Sequence, residues 1–458
     1  MTSTPPHTPE ARGSVRTRSV CPVCLASIPA RLETECDATR LVKACPEHGQ
    51  FKTVIWRGEP AFAGWTRPKI PSPPARPHTA VDKGCPMDCG LCPEHGQRTC
   101  TVLVEVTERC NLGCPVCFAR SGEAPAPDPP LAEVSDLLTM AFELAGPCNL
   151  QISGGEPTVR DDLPHIVSVA RAAGFSLVQL NTNGLRLADE PGYAKRLRRA
   201  GLDSAFLQFD GHDDANERLR GRPLYRTKLA AIEALIEAGV GVVLVPTVRP
   251  GVNDGQLGDI LRLAASLSPG VRGVHFQPVS YFGRYPEPPS DADRITLPEI
   301  MRALEKQTGG MVRADRFTPP GCEHHLCSFS AKYLVRKDGS LHPLTPRREA
   351  CSCRAPEPAA EGAARATAEV ARQWAAPPKD SRPAEKTGPF AELDAFLERA
   401  RSHALSVSGM AFQDAWTLDL ERLRGCCIHV ADARRGLVPF CAYNLTSASG
   451  RPLYRGVP

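Results

Sequence analysis

The stretch Thr101-Val102-Leu103-Val104-Glu105-Val106-Thr107-Glu108-Arg109-Cys110-Asn111-Leu112-Gly113-Cys114-Pro115-Val116-Cys117-Phe118 decides how the rest of the chain is read. Its first half is an apolar, strand-like run, and its second half carries three thiols at C-x3-C-x2-C spacing. Sulfur ligands suit iron, and a loop this short can wrap three corners of a [4Fe–4S] cube. The fourth iron then has no protein ligand and is free to chelate and reduce a small molecule. Thiol spacing alone also admits a zinc knuckle or buried structural cysteines. The order of the motifs downstream of the loop argues against both.

Beyond the loop, apolar runs at 102–106, 148–153, 176–181, 204–210, 241–248 and 273–279 alternate with helix-like stretches near 130–144, 161–173, 187–200, 226–238 and 254–267. This alternation predicts an α/β core over 101–320, a partial (β/α)6 TIM-like barrel, because a full barrel needs about 250 residues. Ligand chemistry in such barrels sits at the C-terminal ends of the strands. The second strand ends in Ser153-Gly154-Gly155-Glu156-Pro157, where paired glycines allow close backbone approach and Glu156 can accept from an ammonium group. The third ends in Asn181-Thr182-Asn183-Gly184 and the fourth in Gln208-Phe209-Asp210-Gly211. A carboxylate such as Asp210 can accept hydrogen bonds from ribose hydroxyls or move a proton.

The 19 cysteines are the compositional outlier in 458 residues. A disulfide framework expects a short secreted chain, but Met1-Thr2-Ser3-Thr4-Pro5-Pro6-His7 has no apolar leader and no stretch approaches a membrane span. Metal ligation in a reducing cytoplasm is the expected use. A net charge of +4, from 55 basic and 51 acidic residues, is too mild and dispersed to predict a nucleic-acid partner.

Residues 1–70 are expected to form a rubredoxin- or zinc-ribbon-like metal site from Cys21, Cys24 and Cys45, completed by Cys36 or His48. Zinc and a single iron both suit it. Residues 71–100 join a proline-rich linker to Cys85-Pro86-Met87-Asp88-Cys89-Gly90-Leu91-Cys92, closed by Cys100, a set that can complete an auxiliary [4Fe–4S] cluster. In 321–458, Cys322, Cys327, Cys441 and either Cys426 or Cys427 are candidate ligands of a further cluster, with Cys427 preferred. Cys351 and Cys353 read as spare thiols on a loop, Asp338-Gly339-Ser340 as a hairpin turn, and 354–388 as a low-complexity linker with one short helix.

Taken in order, the cysteine loop, Gly154-Gly155-Glu156, Asn183 and Asp210 resemble the radical S-adenosylmethionine (SAM) superfamily. The resemblance implies that Cys110, Cys114 and Cys117 hold the catalytic, SAM-binding cluster. It implies that Gly154, Gly155 and Glu156 contact the methionine moiety, and that Asn183, Asp210 and Ser153 face the ribose or the substrate. In that family an electron cleaves SAM to methionine and a 5′-deoxyadenosyl radical.

The run C-P-x-C, C-P-E-H-G, C-P-x-D-C-G-L-C-P-x-H, T-x-R-C-N-L-x-C-P-V-C-F and C-C-I-H…P-F-C-A-Y-N spans nearly the whole chain. It resembles the group containing tetraether-lipid synthases and methanopterin-precursor methylases. Gln413-Asp414-Ala415-Trp416-Thr417 departs from that pattern. The implied cofactors are the SAM cluster, SAM, one or two auxiliary clusters and a mononuclear iron or zinc, with a reduced ferredoxin or flavodoxin as electron donor. The expected activity is that of a transferase functionalising an unactivated carbon of a lipid-like substrate, which brings in a membrane surface as partner. The alternatives are modification of a pterin-like heterocycle or peptide, and an electron carrier without chemistry of its own.

Overall fold

The computed structural model describes residues 14–74, 76–122, 126–347, 355–377 and 391–456. Cys351 and Cys353 lie outside them.

Four antiparallel strands open the described chain: β1 (Val15–Val20), β2 (Ser27–Glu35), β3 (Ala38–Cys45) and β4 (Gly49–Arg57). Along β2, Ile28, Ala30 and Leu32 are buried while Pro29 and Arg31 are exposed, the period-2 pattern of a sheet with one covered face. Cys21-Pro22-Val23-Cys24 sits between β1 and β2, and Cys45 to His48 link β3 to β4, so both knuckles meet at one end of the sheet. A short strand, β5 (Lys69–Ile70), follows.

The core begins with β6 (Thr101–Glu105), β7 (Asn149–Ser153), β8 (Leu177–Thr182), β9 (Ser204–Gln208) and β10 (Gly241–Val245). After a two-residue strand, β11 (Thr247–Val248), comes β12 (Val271–Pro278). All neighbouring pairs are parallel. The connecting helices are α1 (Leu131–Ala145), α2 (Leu163–Ala173), α3 (Leu185–Asp189), α4 (Tyr193–Ala200), α5 (Asp213–Arg220), α6 (Tyr225–Ala238) and α7 (Leu257–Ser266). Val102, Val104, Leu150, Ile152, Val178, Leu180 and Leu244 face this helical layer, packed with Leu138, Ile166, Ile232 and Ile260. Burying each such side chain fully contributes roughly 1.5–3 kcal/mol. The alternate positions Asn149, Gln151, Ser153, Asn181, Gln208 and Gln277 point inward. An ordinary barrel interior is filled by Val, Ile and Leu. Here amides and hydroxyls such as Gln151, Ser153 and Asn181 share the inner face with Leu103, Phe206 and Val245, and together they enclose a cavity.

The six expected strands do not stand alone. After α8 (Leu297–Gln307) the chain forms β13 (Ser328–Val335) and β14 (Leu341–Pro343), the hairpin expected around Asp338-Gly339-Ser340. A short strand, β15 (Glu357–Pro358), precedes α9 (Ala359–Trp374), and α10 (Ala391–Ser402) leads into β16 (Ala404–Met410). Strand β16 lies parallel to β12. After α11 (Leu420–Arg424), β17 (Ile428–Asp432) lies parallel to β6 and pairs with β18 (Gly436–Pro439), before a last turn, α12 (Phe440–Tyr443). Eight parallel strands, β17-β6-β7-β8-β9-β10-β12-β16, thus form the core. The region after residue 321 supplies two of them.

The linker expected over 354–388 contains a sixteen-residue helix with a structural place. Helix α9 lies under the N-terminal ends of the core strands: Asn149 Nδ2 donates to Thr367 O (3.3 Å) and Arg272 Nε to Gln373 O (2.9 Å). Its alanine-rich composition lets it come close. A Cβ on Gly362 would stand 2.4 Å from Gly321 O, and one on Gly241 2.0 Å from Trp374 O.

Asp414 ties the C-terminal segment to the core. Its carboxylate is fully buried and accepts from Arg294 Nη1 (2.8 Å) and Nη2 (3.2 Å), and from the Tyr281 and Trp416 amides (both 3.1 Å). Removing one partner of a buried ion pair strands the other charge. Asp414→Ala is therefore expected to destabilise the fold by about 3–5 kcal/mol, read as a lowered apparent melting temperature. An unchanged transition would show that this pair does not hold the segment.

Candidate active site

The cysteine loop is held by three other segments. Gly155 N donates to Thr107 O (2.8 Å) and Glu156 N to Arg109 O (2.9 Å), so the β7 turn lies directly against the chain entering the loop. A Cβ on Gly154 would be 2.3 Å from Thr107 O, and one on Gly155 2.2 Å from Arg109 O. Asn183 Nδ2 donates to Asn111 Oδ1 (2.7 Å). Arg284 donates to Cys114 O through Nε (3.1 Å) and Nη2 (2.9 Å), and its backbone bridges Cys117 in both directions (2.9 Å each).

Cys110, Cys114 and Cys117 line one side of a cavity of about 630 Å³. Burial, with Glu156 and the other two thiols nearby, pushes Cys110 up to about 11. A cationic centre would stabilise the three as thiolates. They fit three corners of a [4Fe–4S] cluster.

Among the other expected contacts, Ser153, Gly154, Gly155, Glu156 and Asn183 all line this cavity. Glu156 is 1 % exposed, and its carboxylate accepts from Thr158 N, Thr158 Oγ1, Thr182 Oγ1 and Asn183 N at 2.6–3.1 Å. It spends most of its acceptor capacity on joining the ends of β7 and β8. Asp210 does not line the cavity. Its oxygens accept from Arg220 Nε (2.7 Å), Arg220 Nη2 (3.0 Å) and Thr247 N (2.9 Å), so the residue that faces the cavity is Arg220. The Asp210 carboxylate beside it raises the Arg220 pKa further against the effect of burial, and Cys114 interacts with the same guanidinium. Behind them Lys228 donates to Asn183 O, and burial lowers its pKa to about 8.

Tertiary structure regroups the remaining cysteines. Cys21, Cys24, Cys45 and His48 place their ligand atoms within 4.8 Å of one another. Cys36 turns the β2–β3 hairpin at φ 54°, exposed at the opposite end of the ribbon, so the expected role for it gives way to His48. The His48 imidazole lowers the Cys45 pKa to about 6.

Cys100 does not close the array of Cys85, Cys89 and Cys92. It lies immediately before β6, bonded to Cys322 and beside Cys427. The Cα–Cα separation of this pair, 7.4 Å, exceeds the usual disulfide span. With a third thiol adjoining, the trio is better suited to a metal centre, and it lines the same cavity as the cysteine loop. Cys85, Cys89 and Cys92 line a separate small cavity, and the next thiol to interact with Cys89 is Cys426. Cys427 gathers with Cys100 and Cys322, Cys441 lies near Cys426, and Cys327 interacts with both Cys427 and Cys441. Adjacent Cys426 and Cys427 point to different groups.

Sequence reading passed over Arg220, Arg284 and the inward amides. The amides had a signal: Asn149, Gln151 and Ser153 alternate with apolar residues on one strand, as do Gln179 and Asn181 on the next. Arg284 had none, since it acts on a segment 170 residues away; Arg220 lies ten residues from the carboxylate that holds it.

The radical SAM superfamily model matches residues 104–264, and that of the HMPTM N-terminal zinc ribbon domain residues 15–57. The chain is 34% identical over 477 residues to the 7,8-dihydro-6-hydroxymethylpterin dimethyltransferase of Methanocaldococcus jannaschii, covering 94% of this chain and 93% of that protein. It is 28% identical over 272 residues to a probable GTP 3',8-cyclase of Archaeoglobus fulgidus, covering 56% and 89% of the two chains. The structure of Streptococcus suis SuiB bound to S-adenosylmethionine covers 47% of this chain and 48% of its own, at 15% identity and a TM-score of 0.38. No helix among the described residues is long and apolar enough to cross a membrane.

Metal analysis tests the regrouping. Cys45→Ala and His48→Ala are expected to lower the mononuclear metal content, whereas Cys36→Ser leaves it unchanged; loss of metal in Cys36→Ser would restore that thiol as a ligand. Anaerobic reconstitution is expected to load about three cubane clusters, and Cys100→Ala to remove one while leaving the Cys110 cluster in place. A Cys100→Ala protein with its full iron and sulfide content would refute the grouping.

Proposed function

The chain belongs to the radical SAM superfamily, within the group of the pterin dimethyltransferase, and from that premise we propose that it methylates or otherwise alkylates a reduced, pterin-like heterocycle. It is a SAM-dependent enzyme. The observation that carries the substrate class is the cavity itself. Its wall is built of inward amides from β7, β8, β9 and β12, and α9 closes it beneath the strands. Amide side chains match the lactam and amino edges of a heterocycle. A long alkyl chain offers these side chains no hydrogen-bonding partner. The lipid-like substrate and membrane surface expected from the resemblance find no such support.

When bound at Cys110, Cys114 and Cys117, the cluster supplies the electron that cleaves SAM into methionine and a hydrogen-abstracting radical. The chain's own residues bind and orient. Arg220, with Nε and Nη2 committed to Asp210 and Thr247, offers its Nη1 to an anionic group at the cluster end of the cavity. Asn181 has an unpaired buried Oδ1 beside Ser153, and both suit ribose hydroxyls. Gly154 and Gly155 bring backbone against the loop that any ligand of the cluster must approach. The Cys100 and Cys85 groups serve as auxiliary clusters, the ribbon holds zinc, and a ferredoxin or flavodoxin supplies electrons.

The reading is tested with reconstituted protein, SAM, a reductant and 6-hydroxymethyl-7,8-dihydropterin. Pterin-dependent release of 5′-deoxyadenosine and a mass gain on the pterin are expected, both abolished in Cys114→Ala. An unchanged pterin, with SAM cleavage stimulated only by an isoprenoid lipid, would overturn it.

A further inference from the structure

We propose that His275 is a specificity residue whose Nε2 hydrogen-bonds the edge of the heterocycle; this rests on the function proposed above. His275 stands on β12, lines the cavity and is 7 % exposed. Its Nδ1 pairs with Ser408 Oγ on β16 (2.8 Å). Its Nε2 has no partner among the described residues and, unlike His429 Nε2, is not sealed away from the cavity. Burial lowers the His275 pKa to about 4, which keeps the imidazole neutral. A neutral imidazole carries one N–H and one lone pair, and the Ser408 hydroxyl can turn to complement either tautomer. Nε2 therefore suits the ring nitrogens, carbonyl and N–H groups that line the edge of a heterocycle.

The surroundings fix this imidazole before any ligand arrives. Phe206 on β9 stacks on it, with ring centroids 5.6 Å apart and an interplanar angle of 28°. Trp374, the last residue of α9, approaches both rings, at 6.2 Å from His275 and 4.7 Å from Phe206. All three rings line the cavity and give a planar ligand aromatic surface to pack on. Packing sets the plane of the imidazole and Ser408 its rotation, so Nε2 is held in one place. The site also leaves the Cys100 group its room. Cys100 Sγ lies 3.7 Å from Ala363 O, near the start of α9, and residues 363 and 374 are about 16 Å apart along a helix. His275 is not among the ligand atoms gathered with Cys100, Cys322 and Cys427. A ring bonded to His275 occupies the β9–β12 side of the cavity. Strand β12 runs on for about 10 Å past it to Pro278, toward the end of the barrel that carries the cysteine loop.

Anaerobic equilibrium dialysis of 6-hydroxymethyl-7,8-dihydropterin against the reconstituted protein tests the assignment. His275→Phe keeps an aromatic ring and removes the nitrogens; it is expected to weaken pterin binding about 5- to 100-fold and to leave SAM affinity unchanged. His275→Gln, which keeps a hydrogen-bonding group, is expected to recover part of the loss. Wild-type pterin affinity in a folded His275→Phe protein would overturn the role. A second measurement needs no variant: diethyl pyrocarbonate acylates an accessible neutral imidazole, and peptide mass mapping shows which of the 12 histidines react. His275 is expected to react in the free protein and to be shielded by saturating pterin. No reaction at His275, or an unchanged reaction with pterin bound, would refute an open Nε2 at the ligand edge even where the variants fail to fold. Absence of pterin binding by wild type would instead sink the proposed function, and this inference with it.

Discussion

Two backbone hydrogen bonds, from Gly155 N to Thr107 O and from Glu156 N to Arg109 O, hold the cysteine loop against the end of β7. The rest of the site depends on this contact. It requires residues without Cβ at 154 and 155, because any side chain there would meet carbonyl oxygens at 2.2–2.3 Å. Glu156 then reaches across to Thr182 and Asn183, and Asn183 returns to Asn111 in the loop. The cluster loop, the β7 turn and the β8 turn thus form one closed circuit of hydrogen bonds. Residues that look like separate ligand contacts are largely spent on one another, and this rigidity positions a reactive centre.

Amides inside a barrel cost stability, and the architecture accounts for how they survive. The apolar faces of the strands are covered by helices on the outside, so core packing does not depend on the interior. Gln151 and Gln179 bond to each other (2.8 Å), and α9 satisfies Asn149 Nδ2 from below. What is left over, among these amides, is Asn149 Oδ1 and Asn181 Oδ1, both buried without a partner among the described residues. Asp210–Arg220 and Asp414–Arg294 follow the same logic: each buried charge has a bidentate partner, which fixes an arginine where sequence distance offers no local restraint.

Resemblance located the cluster loop and the SAM-facing turns by residue. It put a lipid-like substrate ahead of a pterin-like one, although both chemistries share that machinery, and the reversed order proposed above rests on residues outside the motifs. Cysteine partners show the same limit. Cys36 and His48 were equal candidates along the chain, yet hairpin geometry sends one to each end of the ribbon. Cys100, eight residues after Cys92, was expected to join it, but it sits just before β6 with its thiol against Cys322 and Cys427.

Local sequence determined the strands and helices between 101 and 320, the cluster loop and the knuckles, because hydrophobic period and thiol spacing act over a few residues. Tertiary structure alone decided which distant strands complete the barrel, that an alanine-rich stretch becomes its floor, and which thiols share a centre. Those outcomes depend on contacts such as Cys100 to Cys322, 222 residues apart. No short-range pattern encodes a distance of that kind.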